Sequence, residues 1–567
     1  MLVADVVARR LVGQGVRRIY GLCGGHIQPL WDAVARAGIQ VVDVRHEAAA
    51  VYMAHAAADL TGDLAVALVT AGPGLTNAVT AISNAAVSRS PILVISGRPP
   101  RPQTGMGAMQ DIAQADIVRP LCRNVEQVSE AHHVLARTDK AIAAALGAAD
   151  GATGPSYIDF ATDLLEDTVH SADLPERSWR KREAATVAPA AEAVEQAAKL
   201  IQDSRRILVI SGRSVRQAAP ELRQFLELSG ALYLDSGESR GVIRNDVENF
   251  VPALRGRAMR EADVVVTLGR RLDFQLGYGS DAVFSPTTRF LRVGTCFQET
   301  GETRRGDVEV VGTTRLVLEQ LMSRQAQPKE PDTDWLEMMR MANANRVEAA
   351  RDRYADPTPD SDARITPQYL VSAVNELLTE DAVAVADGGD ILSFARVGLR
   401  PVDYLDCGAL GCLGVGVPFG IAAALERPGV PVFSMIGDGS FGFTAMEIDT
   451  AVRHHAKAVF VIANNEAWNI ERHDQQDRFD GNLVGVDLPG CRYDLLAQSL
   501  GAHGERVEDP GDLPAALSRA MSNAPAVVDV LVSRTAKSPD YLSGLAAVPP
   551  RHAVGTWNKH ELARYTR

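Results

Sequence analysis

Short apolar runs rich in β-branched residues alternate with alanine-rich stretches through most of the chain. Within residues 1–171, VRRIYGL, IQVVDVRHE, LAVALVTAG and PILVISG read as strands, and the pieces between them read as helices. The opening MLVADVVARRLVGQGV sets Leu2, Val3, Val6, Val7 and Leu11 at helical spacing. Continuous apolar strands separated by helices predict a parallel sheet covered on both faces. A charged, proline-bearing stretch over 172–190 reads as a linker. A second unit, 190–325, repeats the alternation with RRILVISG, ALYLDSG, ADVVVTLG and RFLRVGT. A polar stretch from about 324 to 365 reads as the next boundary, and a third unit, 366–535, carries DAVAVADGG, VPVFSMIGDG, KAVFVIANN and AVVDVLVS. Residues 536–567 are too turn-rich for another sheet and read as a tail or lid. The expected fold is α/β: three doubly wound parallel-sheet domains plus a C-terminal tail, with sites at the carboxyl ends of strands.

Length and charge narrow this picture. At 567 residues the chain exceeds one compact core. Lys plus Arg number 58 against 71 Asp plus Glu, a balance of −13 that argues against a nucleic-acid partner, which needs a basic face to replace counterions. No apolar run approaches the ~18 residues of a membrane span. Asp5, Arg9 and Arg10 interrupt the amino terminus where a signal peptide would be apolar. Six cysteines (Cys23, Cys122, Cys296, Cys407, Cys412, Cys491) are scattered, with no C-x-x-C pair, as expected of reduced thiols. The expectation is a cytoplasmic protein acting on a small molecule.

The sharpest chemical signal is Gly437-Asp438-Gly439-Ser440 at the end of one expected strand and Asn464-Asn465 at the end of the next. Twenty-four residues separate Gly439 from Asn464. Neighbouring parallel strands would present a carboxylate and a carboxamide at one rim. Magnesium takes few protein oxygens and fills its octahedron with phosphate oxygens and water, so Asp438 and Asn465 are suitable ligands. Glycines Gly437 and Gly439 let backbone N–H groups approach a diphosphate at the start of the following helix. A competing dinucleotide fingerprint in GCLGVGVPFG (Gly414, Gly416, Gly420) has the spacing G-x-G-x-x-x-G and no strand directly before it, so it reads as close packing at a helix start.

The GDG and NN pair resembles the thiamine-diphosphate enzymes. The resemblance implies pyrimidine-binding, middle and diphosphate-binding domains, with thiamine diphosphate and Mg2+ as cofactors. It places the metal on Asp438, Asn465 and the carbonyl of Ala467, and sets Gly388, Gly389 and Ser440 near the diphosphate. Leu413 matches the bulky residue that bends the cofactor. Activation of such a cofactor needs a carboxyl group near its aminopyrimidine, in a dry strand-end position. Glu47, between VVDVRH and the helix EAAAVYMAHAAADL, fits, and AGPGLTNAVTAISNA resembles the pyrimidine-side domain.

Within the family, GLCGGHIQPLWDA, VDVRHEAAA, ALVTAGPGLTNAVT and the MQ of GAMQD resemble benzaldehyde lyase and the 2-hydroxyacyl-CoA lyases. The matching pocket residues are His26 and Gln110. Pyruvate-decarboxylase-type enzymes carry an adjacent His pair where this chain has Met109-Gln110. Acetolactate synthases carry F-Q-E where it has M-Q-D. After the metal loop, Trp468-Asn469-Ile470-Glu471 replaces the small neutral residues of benzaldehyde lyase. Ile470 and Glu471 should begin a helix over the thiazolium side, with Glu471 the candidate base. The expected activity is a reversible C–C lyase, able to run as an acyloin-condensing carboligase. It would cleave a 2-hydroxyacyl-CoA of the 2-hydroxyisobutyryl-CoA kind to formyl-CoA and a ketone or aldehyde. The alternatives are an acetolactate-synthase-like or benzaldehyde-lyase-like carboligase acting on pyruvate or 2-hydroxyketones, and a silent regulatory relative, which should have lost Glu47 or a metal ligand. The tail's Arg551, His552, Lys559, His560, Arg564 and Arg567 against Glu561 suit a lid over an anionic CoA ester. Because Glu47 and the metal motif lie on separate domains, and in the family meet between subunits, a homo-oligomer (dimer or tetramer) is expected.

Overall fold

In the computed structural model, which describes residues 1–170, 174–244 and 246–543, the chain builds three all-parallel sheets. The first takes β1 (Arg18–Gly21), β2 (Gln40–Asp43), β3 (Ala65–Val69), β4 (Ile92–Arg98), β5 (Asn124–Val128) and β6 (Ser156–Ala161), in the order β2-β1-β3-β4-β6-β5. The second takes β7 (Ile207–Ser211), β8 (Leu232–Leu234), β9 (Val264–Leu268), β10 (Arg289–Gly294) and β11 (Val308–Val311), in the order β11-β10-β9-β7-β8. The third takes β12 (Val383–Asp387), β13 (Asp403–Asp406), β14 (Val432–Gly437), β15 (Val459–Asn464), β16 (His503–Val507) and β17 (Ala526–Leu531), in the order β13-β12-β14-β15-β17-β16. Central strands such as β3, β9 and β12 are buried along their whole length, which is why they read as unbroken apolar runs.

Two differences from the sequence reading have physical causes. The polar stretch after the second unit contains a helix, Thr333–Tyr354, which buries only Trp335, Met339 and Tyr354 and therefore shows no apolar stripe. The strand β5 alternates polar residues and escapes the same test. The tail starts with a short helix, Pro539–Ser543, while the cationic residues from Arg551 onward lie outside the described residues. Among the described residues no helix is long and apolar enough to cross a membrane.

The helix Glu47–Thr61 joins the first domain to the third. Its sequence is apolar nearly all round, so it must be buried, and it packs along the helix Gly416–Glu426, fusing the two domains into one core. Phe419 sits between them, edge-on to Tyr52 at 6.3 Å and to His55 at 5.2 Å. Gly416 is where the helix meets the sheet: a Cβ there would stand 2.7 Å from Ile436 and 2.9 Å from Asp387. GCLGVGVPFG is thus a close-packed helix start.

Candidate active site

β14 and β15 are hydrogen-bonded neighbours with Gly437 opposite Ala463, so the GDG and NN motifs emerge side by side. Gly437 caps the helix Asp438–Thr444, and the backbone turns sharply at both strand ends. Asp438 and Asn465 are buried, and one Asp438 carboxylate oxygen (3.2 Å) and the Asn465 amide oxygen (3.1 Å) both accept from the N–H of Ala467. The two oxygens therefore converge on one point, an arrangement suited to a pair of cation ligands. Burial pushes the Asp438 carboxyl up to about 7 against the opposing pull of the Gly439 and Ala467 N–H groups, a cost that a divalent cation would remove. Among the described residues no three His, Cys, Asp or Glu side chains group as a metal cluster, so the cation candidate is one carboxylate, one carboxamide and one carbonyl.

A cavity of about 390 Å³ opens over this pair. It is lined by every third-domain candidate from the sequence: Gly388, Gly389, Leu413, Gly437, Asp438, Gly439, Ser440, Asn465, Ala467, Ile470 and Glu471. A Cβ on Gly439 would strike the Trp468 ring, and one on Gly389 would stand 2.9 Å from Ile470, so the cradle is glycine-lined because its walls leave no room. These residues fit a diphosphate held by backbone N–H groups beside a magnesium ion. The helix Asn469–Arg478 begins next to the pair and sets Ile470 at the wall. Glu471, in its first turn, is exposed at the mouth and has no side-chain partner among the described residues. Phe274 and Gln275 reach the same cavity from the middle domain, a contribution with no signal in the sequence.

Beneath the cradle, Asp387 accepts the N–H groups of Gly414 (3.0 Å) and Gly416 (2.8 Å), tying the Leu413 loop to the end of β12. Burial pushes its carboxyl up to about 7. Its one signal in the sequence is its position directly before Gly388-Gly389.

The first domain holds a second cluster. Glu47 opens its helix, is buried, and accepts from the Asn77 amide at 2.9 Å. Gly74, past the end of β3, lies against it. Gln110 has the left-handed φ of +63° and packs on Gly72, an uncommon conformation for a non-glycine residue. His26 sits in the short turn Gly25–Ile27 against Gly97 near the end of β4, and its buried Nδ1 has no hydrogen-bond partner among the described residues. None of Glu47, His26 and Gln110 lines the third-domain cavity of its own chain. Glu447 does link the domains: its carboxylate accepts from the N–H groups of Arg45 (3.0 Å) and His46 (3.0 Å), just ahead of Glu47.

The middle-domain arginines, which could have met phosphates, are occupied. Arg213 pairs with Asp59 of the first domain, Arg270 with Asp273 and Gln275, Arg271 with Glu302, and Arg216 donates to the carbonyls of Glu238 and Tyr404.

Family models described as thiamine pyrophosphate enzyme, N-terminal TPP binding domain, central domain and C-terminal TPP binding domain match residues 1–117, 194–321 and 390–530. The chain is 32% identical to an acetolactate synthase large subunit of Mycobacterium tuberculosis over 94% of this chain and 96% of that one. It is 30% identical to 2-hydroxyacyl-CoA lyase 2 of Homo sapiens over 96% of this chain and 91% of that one, and 32% identical to the Mus musculus protein of the same name over 88% and 84%.

Proposed function

The chain belongs to the thiamine pyrophosphate enzymes, and on that premise we propose that it is a C–C lyase, reversible as a carboligase, that cleaves a 2-hydroxyacyl-CoA to formyl-CoA and a ketone or aldehyde. Thiamine diphosphate, when bound, supplies an electron sink next to the carbonyl carbon. Asp438, Asn465 and the Ala467 carbonyl would hold Mg2+, and Gly388, Gly389, Gly437, Gly439 and Ser440 would line the diphosphate end. Leu413 and Ile470, which line the same cavity, would lie against the cofactor. Glu47, kept in place by Asn77 and buried from water, would be the carboxyl that holds or gives up a proton beside the cofactor's pyrimidine end. Glu471 takes the hydroxyl proton of the C–C–OH unit being cleaved. His26 and Gln110 orient the substrate.

The observation that carries this reading is Glu471: a carboxylate without a side-chain partner among the described residues, at the mouth of the cavity lined by the candidate cation ligands and the glycine cradle. The start of the tail lies at this cavity: Asp540 lines it, its N–H donates to the Ser393 hydroxyl (2.8 Å), and the Tyr541 hydroxyl donates to the His473 carbonyl (3.1 Å). Mass spectrometry of products over 2-hydroxyacyl-CoA esters, 2-hydroxyketones and pyruvate tests it. Formyl-CoA with a free carbonyl compound is expected, whereas acetolactate and CO₂ from pyruvate would select the acetolactate-synthase-like alternative. Glu471→Gln should slow C–C cleavage by ~10²-fold. Equal turnover in variant and parent would reduce Glu471 to a helix-end charge.

The protein acts as a homodimer, or as a tetramer built from two dimers, in which the first-domain cluster of one subunit faces the third-domain cavity of the other. Support comes from the separation of the two clusters within one chain and from the apolar residues exposed beside each. Met106, Met109 and Ile112 surround Gln110, and Leu410, Phe443 and Met446 flank the Leu413 and GDG loops.

A further inference from the structure

The loop between the two candidate cation ligands is held from outside by a group that plays no part in the proposed chemistry. Glu466 stands between Asn465 and Ala467 with a left-handed φ of +55°, which a non-glycine residue adopts only when its surroundings impose it. The surroundings are specific. Arg534, just past the end of β17, donates from Nε to the Asn465 carbonyl (2.6 Å) and from Nη2 to the Glu466 carbonyl (2.7 Å). The same Nη2 lies 3.3 Å from the Glu466 carboxylate, and Arg364 Nη2 bonds that carboxylate at 2.7 Å. The N–H of Leu488 takes a second position on the Glu466 carbonyl (2.8 Å). Arg534 is anchored in turn through its own N–H, which donates to Asp362 at 2.8 Å.

The consequence for the loop is directional. The carbonyls of Asn465 and Glu466 are engaged by a guanidinium on one side, which leaves the Asn465 side chain and the Ala467 carbonyl as the loop's oxygens for a cation on the other. The charges are arranged to match. A guanidinium so near a divalent cation is repulsive, and the Glu466 carboxylate, shared by Arg364 and Arg534, offsets it. Lysine could not reproduce the arrangement, because only the planar guanidinium reaches two carbonyls from two nitrogens at fixed geometry.

We propose that Arg534 is a positioning residue for the cation loop, and that the Arg364–Glu466–Arg534 cluster sets the magnesium concentration at which the protein takes up thiamine diphosphate. The proposal rests on the reading of Asp438 and Asn465 as cation ligands. The test is calorimetric binding of thiamine diphosphate to the metal-stripped, full-length protein across a magnesium series, which needs no turnover. Arg534→Ala should raise the half-saturating magnesium by about 10–100-fold, the usual scale for groups that orient metal ligands, and Arg534→Lys and Glu466→Gln by smaller factors. Asp438→Ala runs beside them. An unshifted Arg534→Ala next to a shifted Asp438→Ala overturns the brace alone, and unshifted curves in both overturn the cation reading beneath it. If Arg534→Ala does not fold, Arg534→Lys and Glu466→Gln carry the test. A fall in apo-protein Tm with magnesium curves equal to the parent would make the cluster purely structural and overturn the proposal.

Discussion

The first sheet, β2-β1-β3-β4-β6-β5, and the third, β13-β12-β14-β15-β17-β16, set their strands in the same order, and each gathers its polar residues past the carboxyl ends of corresponding positions. The edge strand of each feeds a loop and then a buried helix, Glu47–Thr61 in one and Gly416–Glu426 in the other, and these two helices pack on each other. The rims differ completely. One offers a buried carboxylate, an amide, a glutamine of left-handed φ and a histidine whose buried nitrogen has no partner among the described residues. The other offers a glycine cradle and a convergent pair of oxygens. A shared scaffold therefore sets where chemistry happens, while a few loop residues set which chemistry. On the proposed reading the two rims are complementary: the first carries Glu47, His26 and Gln110 without a glycine cradle, and the third carries the cradle and the oxygen pair.

The rims can be broken separately. Glu47→Gln should cost the most, lowering turnover by about 10²–10⁴-fold while calorimetric binding of thiamine diphosphate persists, since the shape survives and the proton transfer does not. Wild-type exchange of the cofactor C2 proton in that variant would remove Glu47 from the role. Asp438→Ala and Asn465→Ala should do the reverse. They weaken uptake of cofactor, with the magnesium needed rising at least about tenfold, because each deletes an oxygen from an octahedral ion. Unchanged titrations in both would mean the loop holds no cation.

A smaller effect sharpens the seam between the domains. Burial pushes the Glu447 carboxyl up to about 7, opposed by the Thr450 hydroxyl and the N–H groups of Arg45 and His46. An acid whose folded value is raised from 4.5 favours folding in its protonated form, so its contribution is complete below about 4.5 and is lost as pH climbs to about 7. Within that window Glu447 should contribute a slope of about 1.4 kcal/mol per pH unit. Glu447→Gln should flatten the fall in Tm between pH 5 and 7, and parallel Tm curves would contradict it.

The paired motifs were legible in the sequence because the features that reveal them are local: an apolar strand, a glycine turn, then a polar residue at the strand end. Asp438 follows the end of β14 and Asn465 the end of β15, as that pattern predicts, and the helix expected to begin at Ile470 and Glu471 begins at Asn469. The features that were not legible depend on distant partners. Glu447 meets Arg45 and His46 some 400 residues away in sequence, and no periodicity marks such a contact. Phe274 and Gln275 reach the cavity from a domain whose own sheet gives no hint of it. The helix Thr333–Tyr354 is polar on almost every face, so the apolar pattern that revealed the other helices was absent.

Whether the two rims meet between subunits can be measured by mixing. Glu47→Gln and Asp438→Ala proteins are unfolded together and refolded, or co-expressed with different tags, and assayed at cofactor and magnesium concentrations that suffice for the parent but lie well below the raised requirement of Asp438→Ala, where each variant alone has little activity. If the rims meet between chains, mixed dimers hold one doubly damaged site and one intact site. Random pairing then restores activity toward about one quarter of the wild-type level. If each chain builds its own site, every site carries one lesion and mixing restores nothing. Recovery near a quarter is the predicted result, and activity that stays at the average of the two variants would contradict it.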